Sequence, residues 1–385
     1  MNTQTRSSDS LIRKEFIIDL ILVIGSVLLI AIGVEIWLRA FGDPKEAGLH
    51  HEIYPQGFIC EPEPLLGWIG NPQVSGTLSF AAEDMQDMHV IMNSEGFWDI
   101  EPQIIKPSET KRILFLGDSF TIGFGISEKE RFSDLIKDRL PADYEVINMG
   151  MWGYSTDQEL LVLTEKGMKY SPDIVIVSMF LDDLFCSNLF SVNEGLYIKP
   201  KFNLANDNSL ELGNVPIPNN HGKSYLLNTV LTRFYKLRNR LEMGSEFDSR
   251  GWISVFDKAY LKEKRYSLPL RLLSEMNAVS KANNSKFLLV IIPYKDQLYE
   301  QRINTSRGPY KGIPYGRLDL SLPQKVVRLF CKKSGIPVLD LLPVFKVHNS
   351  QKPLFFKKDL HWTKEGHRLA AEQILTYLKE SNYLL

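Results

Sequence analysis

At 385 residues, with 44% hydrophobic and 24% charged side chains, the chain can bury one sizeable α/β core plus a smaller appendage. Its net charge of −1 excludes a general electrostatic attraction to nucleic acid. Cys60, Cys186 and Cys331 lie too far apart for a disulfide framework or metal-ligand spacing, and the histidines, including His50-His51, form no zinc-type cluster, so neither metal nor cofactor is expected. Cys186 reads as a small buried apolar residue, not a nucleophile.

The chain opens with a short polar tail, residues 1–15, followed by the apolar segment Phe16–Leu38. At about 1.5 Å per residue this helix spans ~35 Å, enough to cross a bilayer with some tilt. Asp19 and Glu35 stand near its ends, and Trp37 suits a headgroup belt. Arg6, Arg13 and Lys14 precede it, whereas Arg39 and Lys45 beyond it are mixed with Asp43 and Glu46. That bias predicts a cytoplasmic tail, a single-pass anchor in the cell membrane and an extracytoplasmic main domain. No small-x-small cleavage site follows, and the apolar stretch is long for a signal peptide, so the segment is read as an uncleaved anchor.

Residues 43–110 are rich in Gly, Pro and short alternating runs, such as His89–Met92, and read as a small irregular or β lead-in. Strand–helix steps follow at Ile113–Leu116, Glu145–Asn148 and Ile174–Phe180, with a helix expected over Ser127–Leu140. Phe190–Ser285 breaks this rhythm and reads as an inserted subdomain at about residues 190–285. It holds Pro216-Ile217-Pro218-Asn219-Asn220 and a helix, Ser224–Met243, basic at Arg233, Lys236, Arg238 and Arg240. The helix face reads as solvated; the sharper alternative is a lid, or a surface for anionic glycan or lipid headgroups. Phe287–Pro293 resumes the sheet, Leu322–Ser334 is a helix, Pro337–Leu341 a last strand and Arg368–Leu378 a final helix. Strands alternating with helices predict a doubly wound parallel sheet.

Two short segments carry chemistry. In ILFLGDSFTIG, Ile113–Gly123, an apolar strand stops at Gly117 and Asp118-Ser119 follows at the turn, where open α/β sheets place reactive groups. Far downstream stands Asp359-Leu360-His361-Trp362-Thr363. A serine hydroxyl needs a base to remove its proton, and the base needs a partner that fixes its tautomer. Asp359 and His361 can supply both from one loop. Asp118 reads as a turn residue, Asn148 and Gly150 as shaping a strand-end loop, Trp362 as packing beside the histidine or stacking on a sugar, and His367 as a turn contact.

GDSFTIG, NMGMWGYST (Asn148–Thr156) and DLHWTKEGH together resemble three blocks of the SGNH, or GDSL-type, esterases and lipases, over roughly Arg112–Leu378. The resemblance implies a flavodoxin-like α/β hydrolase domain over residues 111–385. It implies Ser119 as nucleophile, His361 as general base and Asp359 as its orienter, with the Ser119 and Gly153 amides as oxyanion donors. Many members place the Asp three residues before the His, where this chain has Lys358. Asp359 fits the D-x-H-W-T variant of relatives that handle bacterial polysaccharides. The family's next block carries Asn-Asp, whose Asn is a third oxyanion donor; here Asp182-Asp183 stands instead. An ionised carboxylate cannot donate, and losing one donor costs on the order of 3 kcal/mol, ~100-fold in rate. Asp182 is then protonated in a dry pocket, or Asn188 or another group substitutes, or the enzyme is slow.

The expected function is an ester hydrolase with a Ser-His-Asp acyl-enzyme mechanism, an O-deacetylase of a cell-surface or exported polysaccharide. The alternatives are an O-acyltransferase with the same triad, and a catalytically weak glycan-binding or scaffold protein of an envelope assembly. The expected partners are the membrane and an ester-bearing substrate such as an acetylated glycan, and not nucleic acid.

Overall fold

The computed structural model describes residues 4–41, 60–192 apart from 73, 81 and 83, 197–215, 224–244, 250–300, 303, 310–349 apart from 312, and 352–384. His50-His51 and Pro216-Ile217-Pro218-Asn219-Asn220 lie outside the described residues. The chain divides into two units. One holds α1 (Gln4–Phe41) with α6 (Tyr225–Met243) as far as Phe234; the other holds the remainder. Within α1, Phe16–Phe41 reaches a mean hydropathy of 2.9 with none of that stretch buried, long and apolar enough to cross a membrane.

The second unit is organised by five parallel strands: β1 (Lys111–Gly117), β2 (Tyr144–Gly150), β3 (Ile174–Phe180), β4 (Lys286–Ile292) and β5 (Val338–Asp340). Their order is β2-β1-β3-β4-β5, the flavodoxin-like doubly wound order. All of β3, IVIVSMF, is buried, as are Phe287–Ile292 of β4. Near-continuous β-branched and aliphatic runs of this kind suit strands covered on both faces. The expected helix Leu322–Ser334 and strand Ile174–Phe180 form with those bounds.

The helix expected over Ser127–Leu140 is divided. A 3-10 turn, Glu128–Glu130, and α3 (Phe132–Lys137) meet at Arg131, whose backbone is extended at φ −63°, ψ 144°. Arg131 is wholly buried, and a buried guanidinium must find partners. It ion-pairs with Asp134 (2.6 Å), donates to the Trp98 carbonyl (2.6 Å) and lies 4.8 Å from the Trp98 ring. Tertiary burial overrides local helix propensity there. α3 packs against the last helix, α9 (Lys364–Glu380), while α4 (Thr156–Val162) packs against α7 (Ser267–Ala282).

The lead-in forms two antiparallel pairs, Cys60–Glu63 with Gly67–Gly70 and Ser75–Leu78 with Met88–Ile91. The region after Phe190 forms two further hairpins, Ser191–Val192 with Tyr197–Ile198 and Lys201–Leu204 with Leu210–Asn214, before α6.

Candidate active site

The carboxyl end of β1 is the point where the strand order reverses, with β2 on one side and β3 on the other. Gly117 is paired to both Gly150 and Ser178 there. A Cβ at Gly117 would stand 2.1 Å from Thr121 Oγ1 and 2.9 Å from the Ser178 carbonyl, so only glycine lets the chain turn so tightly. The short helix α2 (Ser119–Ile122) begins immediately, and Asp118 caps it by accepting from the Phe120 amide at 2.9 Å. Asp118 is therefore the turn residue expected. Ser119 is half-buried at the first position of α2.

Asp359 and His361 reach Ser119 from a tight hairpin in which Phe355 bridges to Trp362 and the Phe356 amide donates to the His361 carbonyl at 3.0 Å. His361 Nδ1–H donates to Asp359 Oδ1 at 2.6 Å, and Ser119 Oγ–H donates to His361 Nε2 at 2.7 Å. The Asp359 carboxylate fixes this tautomer, because it can only accept. Burial pushes Asp359 upward, but the His361 imidazole and amide and the Lys295 charge outweigh it and hold the carboxyl below its usual range. His361 is 13% exposed, so the relay is sheltered yet reachable.

The histidine is held from several sides. The rings of Phe120 and Phe124 lie 4.9 and 4.7 Å from it. The Lys295 ammonium donates to the carbonyls of Phe356 (2.5 Å), Lys357 (3.0 Å) and Asp359 (2.9 Å), tying the loop to the end of β4. Trp362 is buried 5.1 Å from both Phe120 and Phe345, which removes the sugar-stacking alternative. His367 is fully buried, and burial pushes its imidazole down to about 3; its Nδ1 accepts from the Phe132 amide at 3.4 Å. It is a neutral structural contact.

Gly153 follows β2 in a loop drawn to the Asp118-Ser119 turn by the Met151 amide, which donates to the Gly117 carbonyl at 3.0 Å. Gly153 has φ +68°, a conformation that favours glycine. The Asn148 side chain donates to the Thr121 carbonyl and Ser133 Oγ, both at 2.8 Å, and accepts from the Gly150 amide at 2.9 Å. The lead-in grips the same loop. Trp68 Nε1–H donates to the Trp152 carbonyl at 2.9 Å, Tyr154 O–H donates to the Trp68 carbonyl, and Gln158 donates to the Leu66 carbonyl at 2.8 Å.

Asp182 stands just beyond β3, the neighbour in the sheet of β1, which leads into Ser119. Although its side chain keeps some exposure, surrounding protein replaces most of its hydration, and its carboxyl is pushed up to about 7. Asn188, offered by the sequence as a substitute donor, is committed elsewhere. Its amide donates to the carbonyls of Leu184 and Arg265, both at 3.1 Å, and to Tyr260 Oη at 3.3 Å. More acids lie behind the site. Asp157 ion-pairs with fully buried Lys199, whereas no protein donor reaches the fully buried carboxyls of Glu159 and Asp183 among the described residues. Burial first, then the neighbouring acids, push both well above the usual carboxylate range. Burial also pushes the half-buried Cys186 thiol far up, so it is inert as a nucleophile at neutral pH.

The chain-order motifs pointed to Ser119, Gly153, Asp182, Asp359 and His361, but not to Lys295, Phe120, Phe124, Trp68 or Glu159. Phe120 and Phe124 lie inside the block that carries Ser119, at helical spacing, and so carried a faint signal. The other residues arrive through sheet order and long-range packing, which no spacing encodes.

Residues 250–384 match the family described as "ALGX: SGNH hydrolase-like domain, acetyltransferase AlgX". The matched segment contains Asp359 and His361 but not Ser119. A probable alginate O-acetylase, AlgJ, of Pseudomonas syringae pv. tomato (strain ATCC BAA-871 / DC3000) is 27% identical over 143 residues, 36% of this chain and 34% of that protein. The chain thus spans about a third of the length of this curated relative. Among solved structures, TesA has a TM-score of 0.39 at 14% identity, over 70% of this chain and 99% of its own. A catalytic mutant of Axe2, an acetylxylan esterase from Geobacillus stearothermophilus, has a TM-score of 0.39 at 12% identity, over 71% and 95%.

Proposed function

We propose that this chain is an SGNH-type serine enzyme moving acetyl groups on the hydroxyls of a polysaccharide, anchored by α1 with its main unit outside the cell membrane. The observation that carries this reading is the unbroken Ser119–His361–Asp359 hydrogen-bond relay, at 2.7 and 2.6 Å. His361 Nε2 takes the Ser119 proton as Oγ attacks the acetyl carbonyl, and Asp359 holds the resulting imidazolium. The oxyanion forms against the Ser119 and Gly153 amides, with the neutral Asp182 carboxyl as a third donor. His361 then protonates the leaving oxygen, leaving acetyl on Ser119.

The acceptor of that acetyl decides the reaction. A sugar hydroxyl makes the chain an O-acetyltransferase, the reading favoured by the acetylase and acetyltransferase descriptions of its relatives. Water makes it the O-deacetylase expected from the sequence, and the partial exposure of His361 favours this second reading. The test is fluorophosphonate labelling of the full-length protein, followed by mass measurement of added glycans with an acetyl-ester donor. Labelling at Ser119 and acetyl gain on the glycan are expected. Acetate release alone identifies the deacetylase. A folded protein that does not label refutes both readings and leaves the glycan-binding scaffold.

A further inference from the structure

Helix α6 is inside out. Its buried positions are Asn228, Thr229, Thr232, Tyr235, Asn239 and Met243, four of them Asn or Thr. Its outward positions Leu227, Val230, Phe234, Leu237 and Leu241 are 57, 54, 50, 54 and 75% exposed. Their spacing of three and four residues makes one continuous apolar stripe. A helix on a water-soluble surface has the reverse arrangement, with its apolar stripe on the core and its polar face in water. Of the inward polar groups, Asn239 donates to the Ser191 carbonyl (2.8 Å) and Oγ (3.0 Å) and accepts from the Phe190 amide (2.8 Å), whereas Asn228 Nδ2 and Thr232 Oγ1 are buried with no hydrogen-bond partner among the described residues. The outward face, a continuous stripe of large apolar side chains left at least half exposed, suits an apolar medium. Arg233, Lys236 and Arg240, on the face that the sequence reads as solvated, are exposed, and they lie together along one edge of the equally exposed apolar stripe.

The start of this stripe is tied to the apolar anchor. Ser224 Oγ–H and the Tyr225 and Leu226 amides donate to the Glu35 carboxylate at 2.9, 3.0 and 2.7 Å. Arg39 completes the cluster, ion-paired to Glu35 at 2.7 Å and 5.4 Å from the Tyr225 ring. Glu35 thus caps α6 from the last turns of α1, satisfying amides that a helix N-terminus leaves open. Trp37, in the same stretch of α1, is a residue suited to headgroup depth. The first turn of α6 consequently lies at the level where α1 leaves the bilayer.

We infer that α6 is a membrane-surface helix, its Leu227–Leu241 stripe seated in the outer interfacial layer of the same bilayer that α1 crosses. The exposed basic residues along one edge of the stripe meet the headgroups, and the buried Asn and Thr residues face protein. This rests on α1 spanning the membrane as proposed above. The stripe then adds a second, parallel contact to the single span.

The test uses the full-length chain with its cysteines replaced, reconstituted in phosphatidylethanolamine–phosphatidylglycerol vesicles. A nitrobenzoxadiazole fluorophore is attached at Val230→Cys, Leu237→Cys, Glu242→Cys or, within α1, Leu28→Cys. The Val230 and Leu237 labels are expected to lose fluorescence to doxyl lipids with a shallow quencher and to resist iodide. The Glu242 label is expected to show the opposite, and Leu28 to be quenched by deep doxyl lipids. Iodide access without lipid quenching at Val230 and Leu237, with Leu28 still quenched, overturns the inference and leaves the anchor standing. Shielding of both from iodide and lipid alike also overturns it, because protein then covers the stripe. Loss of lipid quenching at Leu28 overturns the anchor itself. Should the cysteine-free chain not fold, a photocrosslinker at residues 230 and 237 of the otherwise unchanged chain replaces the fluorophore, with adducts to lipid expected and adducts to protein alone overturning.

Discussion

Asp182→Asn is the substitution that tests the proposed site most directly. The carboxyl of Asp182 is pushed up to about 7 by burial, so at pH 6 it is about ten parts neutral to one ionised, and at pH 8 the ratio is about reversed. A neutral carboxyl donates to the oxyanion; an ionised one cannot, and it repels the developing charge. The sign follows: the wild-type contribution is present below pH 7 and fades as pH rises through that value. Between pH 6 and 8 the donor-competent fraction falls about tenfold. An asparagine amide donates at every pH. The ratio of variant to wild-type kcat/KM should therefore be near unity at pH 6 and rise to about ten at pH 8, with a ceiling of ~100-fold at higher pH, set by the value of one oxyanion donor. The assay is hydrolysis of a model acetyl ester across this range, with melting curves to verify folding. A ratio that does not change with pH would refute the proton-donor role. A large loss in Asp182→Asn at every pH would instead mean that a carboxylate is required there.

Other outcomes follow from the same geometry. Ser119→Ala and His361→Ala should each abolish turnover to a similar extent, and Asp359→Asn should cost about 10⁴-fold, since the amide stabilises the wrong tautomer; steady-state kinetics on the model ester measure all three. Lys295→Met removes the ammonium from the carbonyls of Phe356, Lys357 and Asp359, so kcat should fall by about 10–100-fold through misplacement of His361, with Ser119 less reactive toward fluorophosphonate. Glu159 and Asp183 are raised in the folded state, so they favour folding below the unfolded carboxylate range and lose that contribution as pH rises through their folded values. Thermal stability should decline from about pH 4 upward on their account, and Glu159→Gln should flatten the slope in a series of melting curves. For the anchor, full-length protein should stay in the membrane after carbonate washing, and protease outside intact spheroplasts should digest the main unit; protection would reverse the orientation.

The sequence by itself determined the strands and their common end. ILFLG, YEVINMG and IVIVSMF are apolar enough to be buried on both faces, and a turn containing Asp118-Ser119 stands where the first of them stops. Alternation of strand and helix determined the doubly wound class, and the position of Phe16–Leu38 determined the candidate span. These are local properties, carried by composition and period within a few turns of chain. Tertiary structure alone decided what depends on residues far apart. The relay joins Ser119 to His361 because β1 lies centrally in the sheet and the Phe355–Trp362 hairpin is clamped by Lys295. Asp182 shifts toward neutrality because packing strips its water, a property no tripeptide possesses. Arg131 interrupts an expected helix because a buried guanidinium must reach Trp98 and Asp134. The stripe on α6 was present in the sequence as helical periodicity, which marks an apolar face but not which face is turned inward. Burial of Asn228, Thr232 and Asn239 settled that, with Asn239 held inward by its hydrogen bonds to Ser191 and Phe190, contacts made across some fifty residues of chain.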